Sequence, residues 1–433
     1  MSKESAFERE IIGIRRDLHM NPELGFSEFR TALLVLNHLK SLGIETRFGK
    51  DVMDSRYIYG LPDQDVLDQR FDAALKEFPE SKDVLERMKG GHTGVVGYLD
   101  TGRKGPVIAL RVDMDALPIL ESADAAHCPA AQGYRSGNDG VMHACGHDAH
   151  VAIGLGVAKL LTQAQHELNG KILLIFQPAE EGCRGALPMM KAGVVDEADY
   201  FLAVHIGLGA ETSMFYPSVN GFLASSKWDI ELRGRAAHAG VSPEKGRNAI
   251  LAAAQIINAL HALPRHSQGT SRINVGKISG GSGRNIIADR VRMEIEFRGS
   301  TNEVLEYLTE NGRKIIEGYA GASGIAAEIV SVGNALAVES NVELANRIRA
   351  ILDKTPLREN VSAATWSASG SEDATFFMDR VNELGGKSVY TLIGSGVVGG
   401  HHNEKFDISE QSILVGIRSL FQAIRGISVT ECE

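Results

Sequence analysis

Apolar residues in the first half of the chain recur with two different periods. Residues 7–18 and 27–42 carry them at helical spacing, whereas residues 107–112 and 171–176 are short, nearly continuous apolar runs. Continuous runs of this length are typical of parallel strands that are buried on both faces. Residues 151–161 lie between the two runs and again have helical spacing. The order strand, helix, strand predicts a βαβ unit and therefore an α/β fold.

The pattern changes near residue 216. Apolar residues alternate in the segments 228–232 and 291–297, which predicts half-solvated strands. The segments 246–263 and 302–319 have helical spacing, which predicts helices. The earlier kind of pattern returns in the segments 341–352, 372–381, 388–393 and 409–424. We therefore expect a compact α+β insertion at 217–333, within a discontinuous α/β domain made of 1–216 and 334–433. A charged stretch with few core-forming residues, 50–92, is predicted to be a helical surface insertion.

The composition is that of an ordinary globular protein that binds small molecules. A net charge of −10 over 433 residues argues against nucleic acid as a partner, because phosphate binding needs a surplus of Lys and Arg. The N-terminus lacks the apolar core of a signal peptide, and no stretch approaches roughly 18 uncharged apolar residues, so we expect neither export nor membrane insertion. Four irregularly spaced cysteines predict free thiols in the cytoplasm: Cys128, Cys145, Cys183 and Cys432.

The densest group of metal-binding residue types is the nonapeptide M-H-A-C-G-H-D-A-H at 142–150. Thiolate and imidazole are ligands that zinc, manganese or cobalt accept, and Cys145 and His147 are close enough in sequence to reach one site. The alternative is a purely structural cluster, since Cys is among the most buried residue types. Candidate ligands elsewhere in the chain favour the metal site.

Acidic and imidazole side chains follow three successive predicted strands. Asp113 and Asp115 follow the first apolar run, Glu180 and Glu181 follow the second, and His205 follows a third. Because the carboxyl ends of parallel strands meet at one edge of a sheet, we expect these side chains to converge on one crevice. Taken singly, a Glu-Glu pair is most often a solvated turn, and a lone histidine is most often an ordinary core or surface residue.

Glu180 and Glu181 are adjacent carboxylates in the segment Q-P-A-E-E-G. Adjacent carboxylates repel each other, and a metal ion between them would relieve that repulsion. One glutamate could then coordinate the metal while the other takes a proton from water. His401 and His402 are further candidate ligands, and the sequence leaves open which of the two would bind.

Seven short segments carry a family resemblance. They are D-M-D-A-L-P (113–118), M-H-A-C-G-H-D (142–148), Q-P-A-E-E-G (177–182), A-V-H-I-G (203–207), A-A-H-A-G (236–240), G-S-E-D (370–373) and G-H-H-N-E-K-F-D (400–407). In this order the chain resembles the metal-dependent aminoacylase and carboxypeptidase-like amidohydrolases, which include hippurate hydrolases and plant auxin-conjugate hydrolases. The resemblance covers essentially the whole chain. It implies a metallopeptidase-like catalytic domain with a mixed sheet and helices on both faces, and an inserted lid and dimerisation domain.

The resemblance also implies a binuclear site for two divalent metal ions, Mn²⁺ or Zn²⁺. The ligands would be a bridging Cys145 together with His147, Glu181, His205 and His402. Glu180 would be the general base, and Asp115 would orient His147 by accepting its free ring N–H. Asp113 stands where relatives outside this subgroup have a histidine, so its role as a ligand stays open.

The inserted domain is expected to recognise the substrate. By resemblance, His238, Asn285 and Arg298 contact the active site of a neighbouring subunit, where the histidine stabilises an oxyanion and the arginine binds a carboxylate. Residues 272–292 hold five basic side chains against the single acidic Asp289, and such a patch could bind carboxylates. A solvated strand face is the alternative for these residues. We expect a homodimer, or a heteromer with a related subunit.

The predicted reaction is hydrolysis of an N-acyl amino acid in which an aryl or arylacetyl acid is joined to glutamate or aspartate, such as p-aminobenzoyl-glutamate or indole-3-acetyl-aspartate. Glu180 would deprotonate water for attack on the carbonyl, His238 would support the oxyanion, and Glu180 would return the proton to the amine. A serine hydrolase is excluded because no G-x-S-x-G segment occurs. A partner subunit without its own activity is the remaining alternative, and the complete set of ligands argues against it.

Overall fold

The computed structural model describes residues 3–429 of the chain, which divide into two compact units. The larger unit contains the chain up to Asn220, Val338–Ala368 and the chain from Asp373 onward, and the smaller unit contains Gly221–Ala337 and Ser369–Glu372. Compared with the insertion expected at 217–333, each main boundary lies four residues further along the chain. The short return of the chain near residue 370 was not predicted.

The helices and strands alternate along most of the chain. The α-helices of the described residues are α1 (Lys3–Met20), α2 (Phe29–Ser41), α3 (Gln64–Glu77), α4 (Lys82–Glu86), α5 (Cys128–Gln132), α6 (His147–Gln163), α7 (Ala186–Lys191), α8 (Ala249–His261), α9 (Asn302–Ala322), α10 (Val342–Leu352), α11 (Thr375–Glu383) and α12 (Glu410–Val429). The strands are β1 (Glu45–Phe48), β2 (Val95–Asp100), β3 (Val107–Asp113), β4 (Lys171–Gln177), β5 (Tyr200–Gly207), β6 (Phe215–Tyr216), β7 (Val219–Asn220), β8 (Ala224–Arg233), β9 (Ser271–Gly280), β10 (Arg290–Gly299), β11 (Ala326–Ala335), β12 (Trp366–Ser367) and β13 (Lys387–Gly394).

A seven-stranded mixed sheet forms the centre of the larger unit. Its strand order is β1-β2-β4-β3-β5-β13-β6. The four inner strands β4, β3, β5 and β13 are parallel to one another, and antiparallel strands flank them on both sides. β5 is buried at every position, and β3 and β4 are buried at all but their first. This burial explains why these strands have continuous rather than alternating apolar sequences.

Helices cover both faces of this sheet. Leu202 and Val204 of β5 belong to the apolar core that includes residues of α1, α6 and α12. On the opposite face, the ring of Phe201 lies 5.6 Å from that of Phe377 in α11. The predicted α/β architecture, with a mixed sheet and helices on both faces, is confirmed.

The segment 50–92 contains α3, α4 and short 3-10 turns, and it packs more tightly than the sequence indicated. Leu67, Phe71 and Ala74 of α3 are buried in the core of the larger unit. The rings of Phe71 and Phe29 meet edge to face with centroids 5.7 Å apart, which joins α3 to α2. The prediction of a segment with little core-forming material was therefore wrong, because these three residues lie at helical spacing on one face.

The smaller unit is an antiparallel sheet of order β11-β8-β10-β9 with α8 and α9 on one face. Trp228, Ile230 and Leu232 of β8 and Phe297 of β10 pack with those helices, while the alternate residues of both strands are charged. The strands β9 and β11 were not predicted. In β9 the apolar alternation is limited to Ile273 and Val275 and is interrupted at Gly276, where the register shifts.

Among the described helices, one is long and apolar enough to cross a membrane on length and composition alone. This helix is α12, whose apolar window has a mean hydropathy of 1.3. Within the larger unit, 56% of that window is buried, as is usual for a core helix. Its buried residues include Ile413, Ile417, Leu420 and Ile424, which lie at helical spacing.

Candidate metal centre

The candidate ligands lie where the inner strands of the larger unit end. Asp113 is the last residue of β3, and Glu180 and Glu181 lie in the turn that follows β4. His205 was expected after its strand but lies within it, because β5 pairs with β13 as far as Gly207. The strand was predicted to end with the apolar run at Val204, but its pairing with β13 continues to Gly207.

The nonapeptide at 142–150 straddles a sharp backbone turn. Gly146 has a φ of 91°, and α6 begins at the next residue, His147. A Cβ at Gly146 would also lie 2.8 Å from the side chain of Ile206 in β5. The helix was predicted from residue 151, so its start was misplaced, because the first turn of α6 is polar and conceals the apolar spacing. His147 is therefore held by a helix and not by a loop.

Two groups of candidate ligands share the thiol of Cys145. In the first, one ligand atom from each of Cys145, His147 and His205 lies within 4.8 Å of the others, and Cys145 Sγ is 3.5 Å from His205 Nε2. In the second, the same holds for Cys145, Glu181 and His402, and His402 Nε2 is 3.2 Å from Glu181 Oε1. The structure thus brings together all five residues that the sequence suggested as ligands.

Neighbouring groups fix which ring nitrogen of each histidine faces the cluster. His205 Nδ1 lies 2.7 Å from the carbonyl oxygen of Ile206, and a carbonyl can only accept, so Nδ1 carries the proton and Nε2 keeps its lone pair. His147 Nδ1 lies 3.4 Å from Asp115 Oδ1, which leaves Nε2 towards the cluster. The contact between His147 and Asp115 has the orientation that the sequence analysis expected.

The same reasoning distinguishes His402 from His401. His401 Nε2 accepts the backbone N–H of Leu208 at 2.9 Å, so its Nδ1 carries the proton and faces Cys145 Sγ at 3.6 Å. Burial lowers the pKa of His401 to about 4 and keeps the ring neutral. Neither nitrogen of His401 then offers a free lone pair, whereas His402 directs Nε2 at Glu181. The geometry favours His402 as the ligand.

The chemistry of the cluster fits divalent metal ions. Nε2 of His147 and Oε1 of Glu181 are buried and make no hydrogen bond of normal geometry within the described part of the chain. Buried polar atoms without partners are costly, and a metal ion would satisfy them. One thiolate, three imidazoles and one carboxylate form a mixed set that suits zinc or manganese.

Glu180 lies beside the first group of ligands. Its Oε2 is 4.0 Å from His147 Nε2, and it is one of three residues, with His147 and Glu181, whose ligand atoms lie within 4.8 Å of one another. Asp115 fixes the backbone here, because its two oxygens accept the N–H groups of Glu180 and Glu181 at 2.9 and 3.0 Å. The turn therefore presents both glutamates in a defined direction.

The closest partners of Asp113 are not among the five candidate ligands, of which only His147 approaches it, with Nδ1 at 3.7 Å from Oδ1. Asp113 forms an ion pair with the fully buried Arg111 at 2.9 Å and a short contact with His150 Nδ1. Burial would raise the pKa of Asp113, but the charges of His147, His150 and Arg111 outweigh it and hold this pKa well below its usual value. Because those partners satisfy its carboxylate, we assign Asp113 no place among the candidate ligands. The sequence signal that was missed is Arg111, a charge inside an apolar strand.

A second buried network lies next to the ligands and was also missed. Arg15, which is fully buried, contacts Asp148 at 2.9 Å and Asp407 at 2.8 Å, and His19 Nδ1 lies 2.8 Å from Asp148. Asp148 follows His147 in sequence, and Asp407 ends the segment that carries His402. Arg15 thus ties α1 to both ligand-bearing segments. Arg15 and His19 are four residues apart on α1, a spacing that could have indicated a shared face.

The residues expected to recognise substrate lie in the smaller unit. His238 bridges to Ile286, and the N–H of Ala239 donates to the carbonyl of Asn285 at 3.0 Å, so His238 and Asn285 are on neighbouring segments. Arg298 lies on β10, with its Nε 3.0 Å from Glu296.

The predicted basic patch at 272–292 is largely neutralised by acids on adjacent strands. Its paired cations are Lys277 with Glu294, Arg290 with Glu231, and Arg292 with Asp229. A count of charges along the sequence could not include these partners, because strand pairing brings them from elsewhere in the chain.

Two further sequence features have simple structural outcomes. Cys128, Cys145 and Cys183 are free thiols as predicted, and the prediction for Cys432 falls outside the described residues.

Residues 394–399 read G-S-G-V-V-G, a glycine spacing found in dinucleotide-binding turns, but α12 begins only at Glu410. Such a turn must open directly into a helix, so this segment is not a dinucleotide site.

Comparison with known sequences agrees with this geometry. The model of peptidase family M20/M25/M40 matches residues 109–426. One subunit of the p-aminobenzoyl-glutamate hydrolase of Escherichia coli is 43% identical over 410 residues, which cover 94% of this chain and 93% of that protein. The indole-3-acetyl-aspartic acid hydrolase of Enterobacter agglomerans is 43% identical over 406 residues, which cover 94% of this chain and 93% of that protein.

Solved structures show the same likeness. An aminobenzoyl-glutamate utilization protein from Klebsiella pneumoniae has a TM-score of 0.83 and 37% identity, over 98% of both chains. A dinuclear metal binding peptidase of the M20 family from Bacillus subtilis has a TM-score of 0.68 and 25% identity, over 98% of this chain and 99% of the other. Each likeness extends over nearly the full length of both chains.

Proposed function

Because the chain belongs to the peptidase M20/M25/M40 family and is an amidohydrolase, we propose that it cleaves the amide bond of N-aroyl or N-acyl acidic amino acids, with p-aminobenzoyl-glutamate as the leading substrate. The observation that carries this proposal is the pair of ligand groups that share Cys145, with Glu180 beside them. The name of the Escherichia coli relative supports the choice of substrate.

Two divalent ions, Mn²⁺ or Zn²⁺, are proposed to occupy the two ligand groups. Cys145, His147 and His205 would hold one ion, and Cys145, Glu181 and His402 would hold the other. The Bacillus subtilis structure, described as a dinuclear metal binding peptidase, supports two ions. Bound ions would polarise the scissile carbonyl and lower the pKa of the attacking water.

Glu180 is proposed to be the general base. Its carboxylate would take a proton from the attacking water and later return it to the leaving amine. Asp115 serves this step indirectly, because it holds the backbone N–H groups of Glu180 and Glu181 and faces Nδ1 of His147. The general base and the ligand next to it are thus oriented by one buried carboxylate.

The smaller unit is proposed to recognise the substrate as a lid and dimerisation domain. His238 of a neighbouring subunit would stabilise the oxyanion, Arg298 would bind the α-carboxylate, and Asn285 would contribute a further polar contact. We propose a cytoplasmic homodimer, or a heteromer with a related subunit. The heteromer is supported by the names of the relatives in Escherichia coli and Haemophilus influenzae, which describe one subunit of a hydrolase and its homologue.

A hydrolysis panel tests the proposal. The purified full chain, loaded with Mn²⁺ or Zn²⁺, is assayed for amine release from p-aminobenzoyl-glutamate, indole-3-acetyl-aspartate, hippurate and N-acetyl amino acids. We expect the highest kcat/KM for p-aminobenzoyl-glutamate. A preference for indole-3-acetyl-aspartate would favour the second candidate, which the Enterobacter agglomerans relative supports. A chain silent on every substrate would contradict the proposal and favour a partner subunit that has no activity alone.

A further inference from the structure

The segment 22–28, between α1 and α2, packs against both turns that carry the proposed catalytic groups. The carbonyl oxygen of Glu23 accepts the N–H of Ala116, the residue after Asp115, at 2.8 Å. Gly25 lies directly against Ala179, because a Cβ at this glycine would be 2.9 Å from the Cα of Ala179. The sequence patterns included only residues 27 and 28 of this segment, in the helix predicted at 27–42, but α2 begins at Phe29.

Glu28 makes the most specific contact of this segment. It is fully buried, its Oε1 accepts the backbone N–H of Ala179 at 2.8 Å, and its Oε2 accepts the hydroxyl of Thr93 at 2.6 Å. Ala179 has a φ of 50°, a left-handed conformation that a residue with a side chain seldom adopts. Glu180 is the next residue, so the conformation of Ala179 determines where the side chain of Glu180 points.

A residue at the position of Glu28 is expected to cap the N-terminus of α2, but Glu23 performs this role. Glu28 precedes α2 as its N-cap, yet its side chain makes no capping hydrogen bond. The side chain of Glu23 caps this helix instead, by accepting the N–H groups of Arg30 and Thr31 at 3.1 and 2.8 Å. The carboxyl of Glu28 is therefore directed away from its own helix and towards the turn that contains Glu180.

We propose that Glu28 is a positioning residue for amide hydrolysis, which acts through Ala179 to set the direction of the general base Glu180. This inference rests on the proposed function. Glu28 and Asp115 together accept the three consecutive N–H groups of Ala179, Glu180 and Glu181. Two buried carboxyls thus hold the whole turn, and neither needs to touch the substrate.

The conservative substitution for Glu28 is glutamine. Burial and the nearby charge of Asp115 raise the pKa of Glu28 to about 8. Glutamine is nearly isosteric with glutamic acid and keeps an oxygen that can accept the N–H of Ala179. Alanine removes that acceptor and leaves a buried N–H without a partner.

Steady-state kinetics compare Glu28→Ala, Glu28→Gln and the matched control Glu23→Ala, all as full chains loaded with Mn²⁺ and assayed on p-aminobenzoyl-glutamate. Glu28→Ala is expected to lower kcat about 10- to 100-fold with KM changed less than about threefold, because the base is misplaced. Glu28→Gln should stay within about threefold of the wild type. Glu23→Ala removes an equally buried carboxyl and should lower Tm while leaving kcat within about twofold.

Hydrogen–deuterium exchange over residues 177–186 reports the same contact without any substrate. The amide of Ala179 should exchange about tenfold faster in Glu28→Ala, and at the wild-type rate in Glu28→Gln and Glu23→Ala. Should Glu28→Ala fail to fold, Thr93→Val provides a milder test, because it removes the hydrogen bond that orients Glu28. This variant should lower kcat about threefold to tenfold and speed exchange at Ala179.

The outcomes separate this inference from the proposed function. Wild-type kcat or unchanged exchange in Glu28→Ala would overturn the positioning role, as would an equal loss of kcat in Glu23→Ala. A wild-type chain that hydrolyses no substrate of the panel would refute the proposed function, and the exchange data would then decide alone whether Glu28 holds Ala179.

Discussion

The two units of the chain use charged residues in opposite ways. In the larger unit, Arg15 is fully buried and contacts Asp148 and Asp407, which come from two different parts of the chain. In the smaller unit, Arg292 pairs with Asp229 across neighbouring strands, with 61% and 28% of their side chains exposed. Charges on one face of a solvated sheet interact weakly, whereas buried charges are tolerated only when their partners are fixed.

The difference indicates that charged residues constrain the fold of the larger unit more than that of the smaller unit. The buried charge of Arg15 joins segments that are distant in sequence, so losing one of its partners should disturb the ligands as well as the stability. The exposed pairs join adjacent strands that the backbone already holds together. The larger unit should therefore respond strongly to substitution of its buried charged residues, and the smaller unit should respond weakly to substitution of its exposed ones.

The largest effect is expected for Glu180→Gln. Removing the general base should lower kcat about 10² to 10⁴-fold, because proton transfer by a positioned side chain contributes an acceleration of that size. Metal content, measured by elemental analysis, should be unchanged. Glu197→Gln, at an exposed position of the larger unit, is the control and should keep wild-type activity. A Glu180→Gln enzyme with wild-type turnover would refute the assignment.

Cys145→Ala should have the next largest effect, on metal binding. This residue belongs to both ligand groups, so its loss should weaken metal affinity by at least about 100-fold, given that outer partners of ligands alone contribute 10- to 100-fold. Chelation should abolish wild-type activity, and added Mn²⁺ or Zn²⁺ should restore it. Cys128→Ala, another free thiol, is the control. Full metal occupancy in Cys145→Ala would rule out a shared thiolate ligand.

Asp148→Asn tests the buried network through the free energy of unfolding. Removing one of the carboxylates that compensate the buried charge of Arg15 should cost about 3 to 5 kcal/mol, measured by urea denaturation. Burial would raise the pKa of Asp148, but Arg15 and His19 lower it far below its usual value of 3.8. A lowered folded-state pKa adds stability above the unfolded value, which is lost as pH falls below about 4.

The pH dependence of unfolding provides the control for this prediction. Wild-type stability should fall steeply below about pH 4, and Asp148→Asn should flatten that fall because the titrating group is absent. Asp139→Asn, at an exposed position, should leave the pH profile unchanged. Equal acid sensitivity in wild type and Asp148→Asn would show that other carboxyls dominate.

The smallest effect is expected in the smaller unit. Breaking the exposed pair with Arg292→Ala or Asp229→Ala should change the free energy of unfolding by less than about 1 kcal/mol, and added salt should reduce the change further. A double-mutant cycle of the two substitutions measures their interaction. A coupling as large as the effect of Asp148→Asn would contradict the contrast between the units.

The sequence predicted the architecture well where apolar patterns are strong. The continuous runs of β3, β4 and β5 indicated buried parallel strands, and the residues that follow them indicated the site. The start of α6 was missed because its first turn carries His147, Asp148 and His150, and polar residues conceal apolar spacing. β9 was missed because its alternation of Ile273 and Val275 is short and is interrupted at Gly276, where the register shifts.

The supporting residues of the site could not be predicted from local sequence. Arg15 and Asp148 are far apart in the chain, and their contact exists only once α1 packs against α6. Glu28 fell inside the helical pattern at 27–42, and nothing in that pattern indicates that its side chain reaches Ala179. Local patterns report periodicity, whereas such contacts depend on long-range packing.

The order of strands in the mixed sheet has a consequence for synthesis of the protein. β13 pairs along the whole of β5, Tyr200 with Lys387, yet the ribosome must make Gly221–Ala337 before β13 emerges. At typical rates this delay is roughly 10 to 40 seconds, during which the apolar edge of β5 has no partner. The nascent chain therefore carries an edge prone to intermolecular pairing, and we expect its folding yield in the cell to depend on chaperones.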